Sequence, residues 1–462
     1  MDWVPTISDR QGPLFQRIVN ALAEAIQEGR LRPGQTLPTH RALAGALGVD
    51  LTTVTRAYAE ARRQGLTDAT VGRGTFVKAQ PVGGLRASAM PGIDLSMNLP
   101  PQPADADLDG RLARALAEVR AESGLAPYLT YQQPGGTGAE RNVAAEWLGE
   151  RVPALAPSLT PDRLVLSPGT QPALFALLLA HAVPGDAVLT ETLTYPGFKA
   201  AAAALGLALT GVEMDDEGMI PAALDRAARG GGAKIVCLTP TMQNPTTATM
   251  SAERRERIAA IVRKRGLILI EDDPYTFLAP GLPPIASFAP ERTYFAASLS
   301  KAIAPGLRTS LVVGPDAAST ARCAALLRAV VQMSAPLMAA IATKWMRDGT
   351  AGELITAVRG EAAARQTLAR AALQEYGAAA HPAGLHVWLG LPKRWPAPRF
   401  VAHLGGRGLA VVTADAFATA DAVPPNAIRL ALGAARSQAH LARALAILKD
   451  ALGSPGAESQ IV

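Results

Sequence analysis

The 462-residue chain carries only eight lysines against 37 arginines, so arginine is its default cation. One lysine sits in a context that calls for its own chemistry: Lys301, in Ser298-Leu299-Ser300-Lys301-Ala302-Ile303-Ala304-Pro305-Gly306-Leu307-Arg308, directly after an apolar run. A desolvated lysine gives up its proton and condenses with an aldehyde to an imine; a guanidinium does neither. Taken alone, Lys301 is equally consistent with a solvated surface charge. Its companions narrow the choice. Asp272-Asp273-Pro274-Tyr275 ends another apolar run with a carboxylate and a phenol, suited to a protonated pyridine nitrogen and to a ring's phenolic oxygen. Thr239-Pro240-Thr241-Met242-Gln243-Asn244-Pro245 ends a third run and offers the Asn244 amide. Ser167-Pro168-Gly169-Thr170-Gln171 ends a fourth and opens a helix, whose free N–H groups and positive dipole end suit a phosphate. Tyr195, just beyond Ala187–Glu191, can stack on a ring.

These residues need a scaffold that brings several strand ends to one edge. Short apolar runs at Arg163–Ser167, Ala187–Glu191, Lys234–Thr239, Leu267–Asp272, Thr293–Ser298 and Ser310–Gly314 alternate with helical patterns. Runs of this kind are expected of strands buried on both faces, in an α/β domain with a mostly parallel sheet that binds ligands at its carboxyl edge. After about Ser334 come Ala-rich helices and shorter strands, His386–Leu391, Ala410–Thr413 and Ala427–Leu430, which predict a smaller α+β part. The large part is expected over about 130–330 and the small part over about 335–462.

Residues from about 95 to 450 resemble the fold type I aminotransferases. The resemblance implies pyridoxal 5'-phosphate, with Lys301 as its Schiff-base lysine and Asp272 as the partner of the pyridine nitrogen. Tyr275 and Asn244 match the pair at the phenolic oxygen, and Tyr195 the stacking aromatic. Gly169, Thr170, Gln171, Ser298 and Arg308 match the phosphate cup. Tyr131, in Tyr131-Gln132-Gln133-Pro134-Gly135, resembles the tyrosine that reaches the other subunit's phosphate, which implies a homodimer. Arg429, in Ile428-Arg429-Leu430-Ala431, resembles the arginine that grips a ligand α-carboxylate, a bidentate task that lysine performs poorly. Glu140 departs from the leucine usual before Arg141. No metal site is expected.

The first 80 residues read differently. Leu14, Ile18, Leu22 and Ile26 recur every four residues from Pro13 to Glu28, as on one helix face. A short helix from Thr39, its N-cap, to Leu47 and a third from Leu51 to about Gln64, capped by Asp50, flank the turn Gly48-Val49-Asp50. Two short strands between Gly65 and Val77 meet at Gly72-Arg73-Gly74. Helix, helix–turn–helix and glycine-tipped hairpin make a winged helix-turn-helix. Ten Lys/Arg against seven acids give these residues a +3 excess, half of the chain's +6; that suits a polyanion but is common on ordinary surfaces. Val54 and Tyr58 are expected inward, and Thr52, Thr53, Thr55 and Arg56 outward.

Pro13-Leu14-Phe15-Gln16-Arg17-Ile18, Leu31 to Arg41, Gly48 to Tyr58 and Gly72 to Val77 resemble the winged-helix domain of the GntR family, with Leu51 where an arginine is usual and Thr39 where a serine is frequent. The resemblance implies DNA contacts from Thr39, Arg41, Thr52, Thr53, Arg56, Gly72, Arg73 and Gly74. The order of parts is a winged helix over 1–79, a Pro/Gly-rich linker over 80–108 and an aminotransferase-like domain over 109–462. That order resembles the MocR subgroup of GntR-type regulators, which implies a head-to-tail homodimer that binds an operator and senses an amine, an amino acid or pyridoxal phosphate itself through an aldimine on Lys301.

The richest apolar stretch near the middle of the chain, Ala173 to Val183, is too short to cross a bilayer. No secretory signal is expected from Met1-Asp2-Trp3-Val4-Pro5. Two isolated cysteines, Cys237 and Cys323, fit a reducing cytoplasm rather than a disulfide framework. Three functions stay open on this reading: a ligand-sensing regulator, an active aminotransferase with a DNA-binding appendage, and a scaffold whose second domain only dimerises the DNA-binding heads.

Overall fold

The computed structural model describes residues 3–5, 13–27, 31, 35–63, 66–70, 74–77, 92–230 and 232–454. The chain divides into two compact units, Met1–Ala89 and Met90–Val462.

In the first unit, α1 (Leu14–Gln27), α2 (His40–Leu47) and α3 (Leu51–Arg63) precede a hairpin of β1 (Thr67–Thr70) and β2 (Gly74–Val77). The four-residue apolar spacing buries Ile18 and Leu22 completely, against Leu43, Val54 and Tyr58. Thr39 caps α2 by accepting from Ala42 N at 3.2 Å. Gly48, at φ 65°, ends it in the left-handed conformation that glycine adopts at little cost. Asp50 Oδ1 accepts from Thr52 N at 2.7 Å and so satisfies a free N–H at the start of α3. β1 and β2 pair antiparallel with Thr67 opposite Val77, and Thr36 bridges to Phe76, giving the hairpin a third short edge. The wing-tip residues Gly72 and Arg73 lie outside the described residues.

The second unit begins earlier than the sequence suggests. The linker expected over 80–108 ends before Gly92: β3 (Ile93–Asp94) pairs parallel with Leu409–Ala410, and Leu95 is fully buried. A two-residue strand followed by prolines has no period by which to recognise it. Strands β4 (Leu164–Ser167), β5 (Ala187–Glu191), β6 (Ala208–Val212), the hairpin β7 (Met214–Asp215) and β8 (Gly218–Met219), β9 (Ala233–Leu238), β10 (Ile268–Asp272), β11 (Thr293–Ser298) and β12 (Ser310–Val313) follow. Seven of them form one sheet in the order β4-β12-β11-β10-β9-β5-β6, parallel except for β12. Edge strand β6 was not anticipated; its partly exposed Ala-Leu-Thr-Gly-Val lacks the continuous apolar character of the central strands.

The smaller sheet runs in the order β13 (Ala379–Ala380), β14 (His386–Gly390), β17 (Ala427–Ala431), β16 (Val412–Thr413), all antiparallel, while β15 (Leu409–Ala410) serves as the partner of β3. The small part starts later than the expected 335. Helix Pro336–Arg347 and the first half of helix Thr350–Leu373 join the core of the large part, and Ala369 and Leu373 join that of the small part. The lead-in residues Ile93 and Leu95 also belong to the small core. Glu140 has its own use: its carboxylate accepts from Thr137 N at 2.7 Å while Thr137 Oγ1 accepts from Glu140 N, a reciprocal cap on helix Gly138–Arg151.

Candidate functional site

The parallel strands end at a common edge, and the residues singled out by type follow those ends. Gly169 and Thr170 follow β4, Tyr195 follows β5, Asn244 follows β9, Asp272 ends β10 with Tyr275 just beyond, and Lys301 follows β11. Arg429 comes from the small sheet, on β17 opposite Trp388 and Val412.

Asp272 is 6% exposed, and its Oδ1 is buried without a hydrogen-bond partner. Burial lifts its pKa to about 7; neighbouring Asp273 adds to the rise and Lys301 opposes it. Lys301 Nζ donates to the backbone oxygen of Asn98. Burial lowers its pKa to about 8, with Arg429 and Arg308 adding to the fall and Asp272 opposing it. Burial thus outweighs the attraction between the two groups, and each leans toward its neutral form.

Arg429 is buried over the Phe417 ring, 4.9 Å from its centroid. Nη1 donates to Asn244 Oδ1 at 2.8 Å and Nη2 donates to Ser96 O, while Nε has no partner. A guanidinium has five N–H donors, so the group retains capacity for a carboxylate. Burial brings its pKa down to about 10.

At the start of helix Thr170–His181, Gly169 has φ 102°, and a Cβ there would lie 2.5 Å from Arg308 Nη2. Arg308 itself donates to Pro168 O at 2.5 Å. Gln171 Nε2 donates to Gly197 O at 2.7 Å, and its Oε1 is buried without a partner. Ser298 Oγ accepts from Ser300 N at 3.1 Å and from Ser310 Oγ at 3.0 Å. Both of its acceptor positions are used, so only its proton remains to offer. The neighbouring Ser300 Oγ is buried and unpartnered. Tyr195, partly buried, directly precedes helix Pro196–Ala204. Tyr131 is 81% exposed and does not enter the site of its own chain.

Three contributors were not singled out in the sequence: Asn98, His386 and Ser300. Asn98 Nδ2 donates to the Tyr275 hydroxyl at 2.8 Å and lies 3.2 Å from His386 Nδ1. His386, fully buried, places Nε2 3.1 Å from Gln243 O, and burial drops its pKa to about 3. Asn98 lies in the aperiodic lead-in, where a polar residue carries no signal; of the two serines before Lys301, the family resemblance favours Ser298 over Ser300.

On the first unit, Arg41, Thr52 and Arg56 are exposed and Thr53 is partly so, while Val54 and Tyr58 are buried as expected. Arg56 lies over the Phe15 ring at 4.5 Å. The Thr52 hydroxyl donates to Asp50 Oδ1 at 2.5 Å, and the Thr39 hydroxyl is engaged as a cap, so both serve local structure as well as any ligand. Gly74 opens β2 with φ 85°.

The sequence profile of the aminotransferase class I and II family matches residues 91–448, and that of the bacterial regulatory proteins of the gntR family matches residues 14–77. The vitamin B6 salvage pathway transcriptional repressor PtsJ of Salmonella typhimurium is 30% identical over 438 residues, covering 91% of this chain and 94% of that one. The HTH-type transcriptional regulator YdeF of Bacillus subtilis is 29% identical over 457 residues, 98% of this chain and 97% of its own. An archaeal alanine:glyoxylate aminotransferase superposes with a TM-score of 0.71 at 25% identity, over 79% of this chain and 91% of its own. The chain belongs to the MocR group of aminotransferase-like GntR regulators.

The cofactor of the aminotransferase fold is pyridoxal phosphate, and the MocR site described above fits it on structural grounds. Asp272 Oδ1, Ser300 Oγ and Gln171 Oε1 are buried polar atoms without partners, donors and acceptors that such a group could complete. Gly169 leaves room for the Arg308 guanidinium over the helix start, a cation beside free N–H groups that suits a phosphate. Among the described residues no cluster of side chains could hold a metal, and no helix is long and apolar enough to cross a membrane.

Proposed function

We propose that this chain, a DNA-binding transcription regulator, carries pyridoxal phosphate on Lys301 and uses it to sense an amine, an amino acid or the cofactor itself. The observation that carries the reading is the unpartnered, buried Asp272 Oδ1 beside a desolvated Lys301, in a chain whose other unit is a winged helix. Bound pyridoxal phosphate supplies an electrophilic carbonyl carbon that exchanges one amine for another. Lys301 offers the neutral amine, Asp272 faces the pyridine nitrogen and Tyr275 with Asn244 the phenolic oxygen. Tyr195 stacks on the ring. Gly169, Thr170, Gln171, Ser298, Arg308 and the additional Ser300 hold the phosphate. Arg429 grips an effector carboxylate with the N–H groups it has to spare. Thr39, Arg41, Thr52, Thr53, Arg56, Gly72, Arg73 and Gly74 meet the operator. A second copy, arranged head to tail in the cytoplasm, covers the exposed Leu129 and Tyr131 and receives Tyr131 in its site.

The test is operator affinity, measured on promoter fragments flanking its own gene with and without pyridoxal phosphate and candidate amino acids, in wild type and Lys301→Ala. Coupling of about 1–3 kcal/mol predicts a 5- to 150-fold shift in wild type and none with the variant. A ligand that changes the cofactor's absorbance without changing operator affinity defeats the sensor reading. Because Lys301, Asp272 and Arg429 together also suit transamination, rapid multiple turnover with a keto acid would establish an enzyme instead.

A further inference from the structure

We propose that His386 and Asn98 form a positioning relay that fixes the phenol of Tyr275, so that its proton points to the cofactor ring. The inference rests on the pyridoxal phosphate reading of the site and adds two residues to it.

The relay follows from which atoms can donate. Gln243 O can only accept, so His386 Nε2, 3.1 Å away, carries the ring proton. Nδ1 is then a lone pair, and the group facing it at 3.2 Å has to be the Asn98 amide nitrogen. Turning the Asn98 amide over would set Oδ1 against that lone pair. The second amide proton of Asn98 goes to the Tyr275 oxygen at 2.8 Å. Tyr275 is 1% exposed, and among the described residues no acceptor takes its own proton. A phenol that accepts one hydrogen bond is a better donor in the next, so the relay both aims and strengthens the Tyr275 O–H. It also has a cost, since Asn98 Oδ1 is left buried without a partner.

The surrounding charges are common to all the variants below. Arg429, Asp272 and Tyr195 face Tyr275; Arg429 and Lys301 face His386; Arg429, Asp272 and Arg308 face Lys301. His386 stays neutral throughout the range in which the cofactor is studied, because burial holds its pKa near 3. It therefore works as a fixed acceptor and not as a proton carrier.

The experiment is a pH titration of the visible band of full-length protein loaded with pyridoxal phosphate. A donor to the ring's phenolic oxygen stabilises the anion, so a weakened donor moves the midpoint to higher pH. Asn98→Ala and His386→Leu are expected to raise it by about 0.5–1 pH unit, the worth of one hydrogen bond. His386→Asn, whose Oδ1 can stand where Nδ1 stands, should return it close to wild type. Tyr275→Phe should raise the midpoint at least as far, and adding Asn98→Ala to it should change nothing more. Loaded Asn98→Ala protein that titrates like wild type, or whose shift adds to that of Tyr275→Phe, overturns the relay. Should His386→Leu fail to fold, the Asn98→Ala and Tyr275→Phe pair decides alone. A wild-type chain that forms no band on Lys301 sinks the cofactor reading and the relay with it, whereas a normal wild-type band with unshifted variants sinks only the relay.

Discussion

On α3 of the first unit, Thr52 and Arg56 face solvent, and the Arg56 guanidinium lies over the Phe15 ring. At the carboxyl edge of the large sheet Asp272, Tyr275 and Arg429 are each more than nine-tenths buried, and two of them keep an unpartnered polar atom. The head would therefore present these proposed DNA contacts at almost no expense to folding, because exposed side chains remain hydrated until DNA arrives. The cofactor unit holds its polar groups desolvated in advance, a burial that destabilises the unliganded fold and is offset when a ligand supplies the missing partners. Substitutions in the first region should change binding by small, similar steps. Those in the second should separate ligand binding from stability.

The sharpest test of that contrast is Lys301→Ala, which removes the proposed attachment point. The purified variant should lack the visible band altogether, and borohydride should fix no cofactor to it; cofactor trapped on another lysine would refute the assignment. Next in size is Asp272→Asn. Losing the proposed partner of the pyridine nitrogen should weaken cofactor binding by about 10- to 100-fold, corresponding to about 1.5–3 kcal/mol. The thermal midpoint of the apoprotein should stay level or rise, since a desolvated carboxylate has gone. A midpoint that falls steeply would mean that Asp272 is a structural residue.

The third test concerns pH. Covalent attachment needs the neutral amine, and Lys301 is shifted down to about 8. Below that pH the neutral fraction, and with it the rate at which the visible band forms in apoprotein, should climb about tenfold per pH unit, levelling above pH 8. The same shift acts on stability with a definite sign. Between about 8 and the ordinary lysine value of 10.5, unfolded chains bind more protons at this residue than folded ones, so its contribution to apoprotein stability improves as pH rises through that window. A rate still climbing steeply toward pH 10 would show an ordinary, solvated lysine.

Smaller effects are expected from the head. Arg56→Gln should weaken DNA binding nearly equally on all sequences and lower the slope of log affinity against log salt by about 1. An effect confined to one operator base would instead make Arg56 a base reader. Smallest of all, Thr39→Ala removes the α2 cap and should cost about 1 kcal/mol of head stability by denaturant titration, leaving the visible band of the second unit untouched.

Much of this molecule was legible in its sequence because the signals are local. The spacing of Ile18 and Leu22 marks a helix face, Gly48 and Asp50 mark where helices stop and start, and Ala187–Glu191 and Thr293–Ser298 are strands with the very bounds that their apolar runs suggest. The order of chemistry-bearing residues after those strands places them at one edge, since strands running in the same direction share one carboxyl edge. Where the signal was weak, the reading failed. The lead-in to the second unit looked like linker until Ile93 paired with Leu409, and β6 was hidden by its exposed edge position.

What the sequence by itself determined is the set of reactive types and their order along the chain: Lys301, Asp272, Tyr275 and Arg429 behind a winged helix. Only the tertiary structure decided how those groups are oriented and charged. Asn98 reaches Tyr275 across 177 residues and His386 across 288, and the values of about 7 for Asp272 and 8 for Lys301 come first from burial. Partnership over such separations and exclusion of water are properties of packing, which no local pattern of residues encodes.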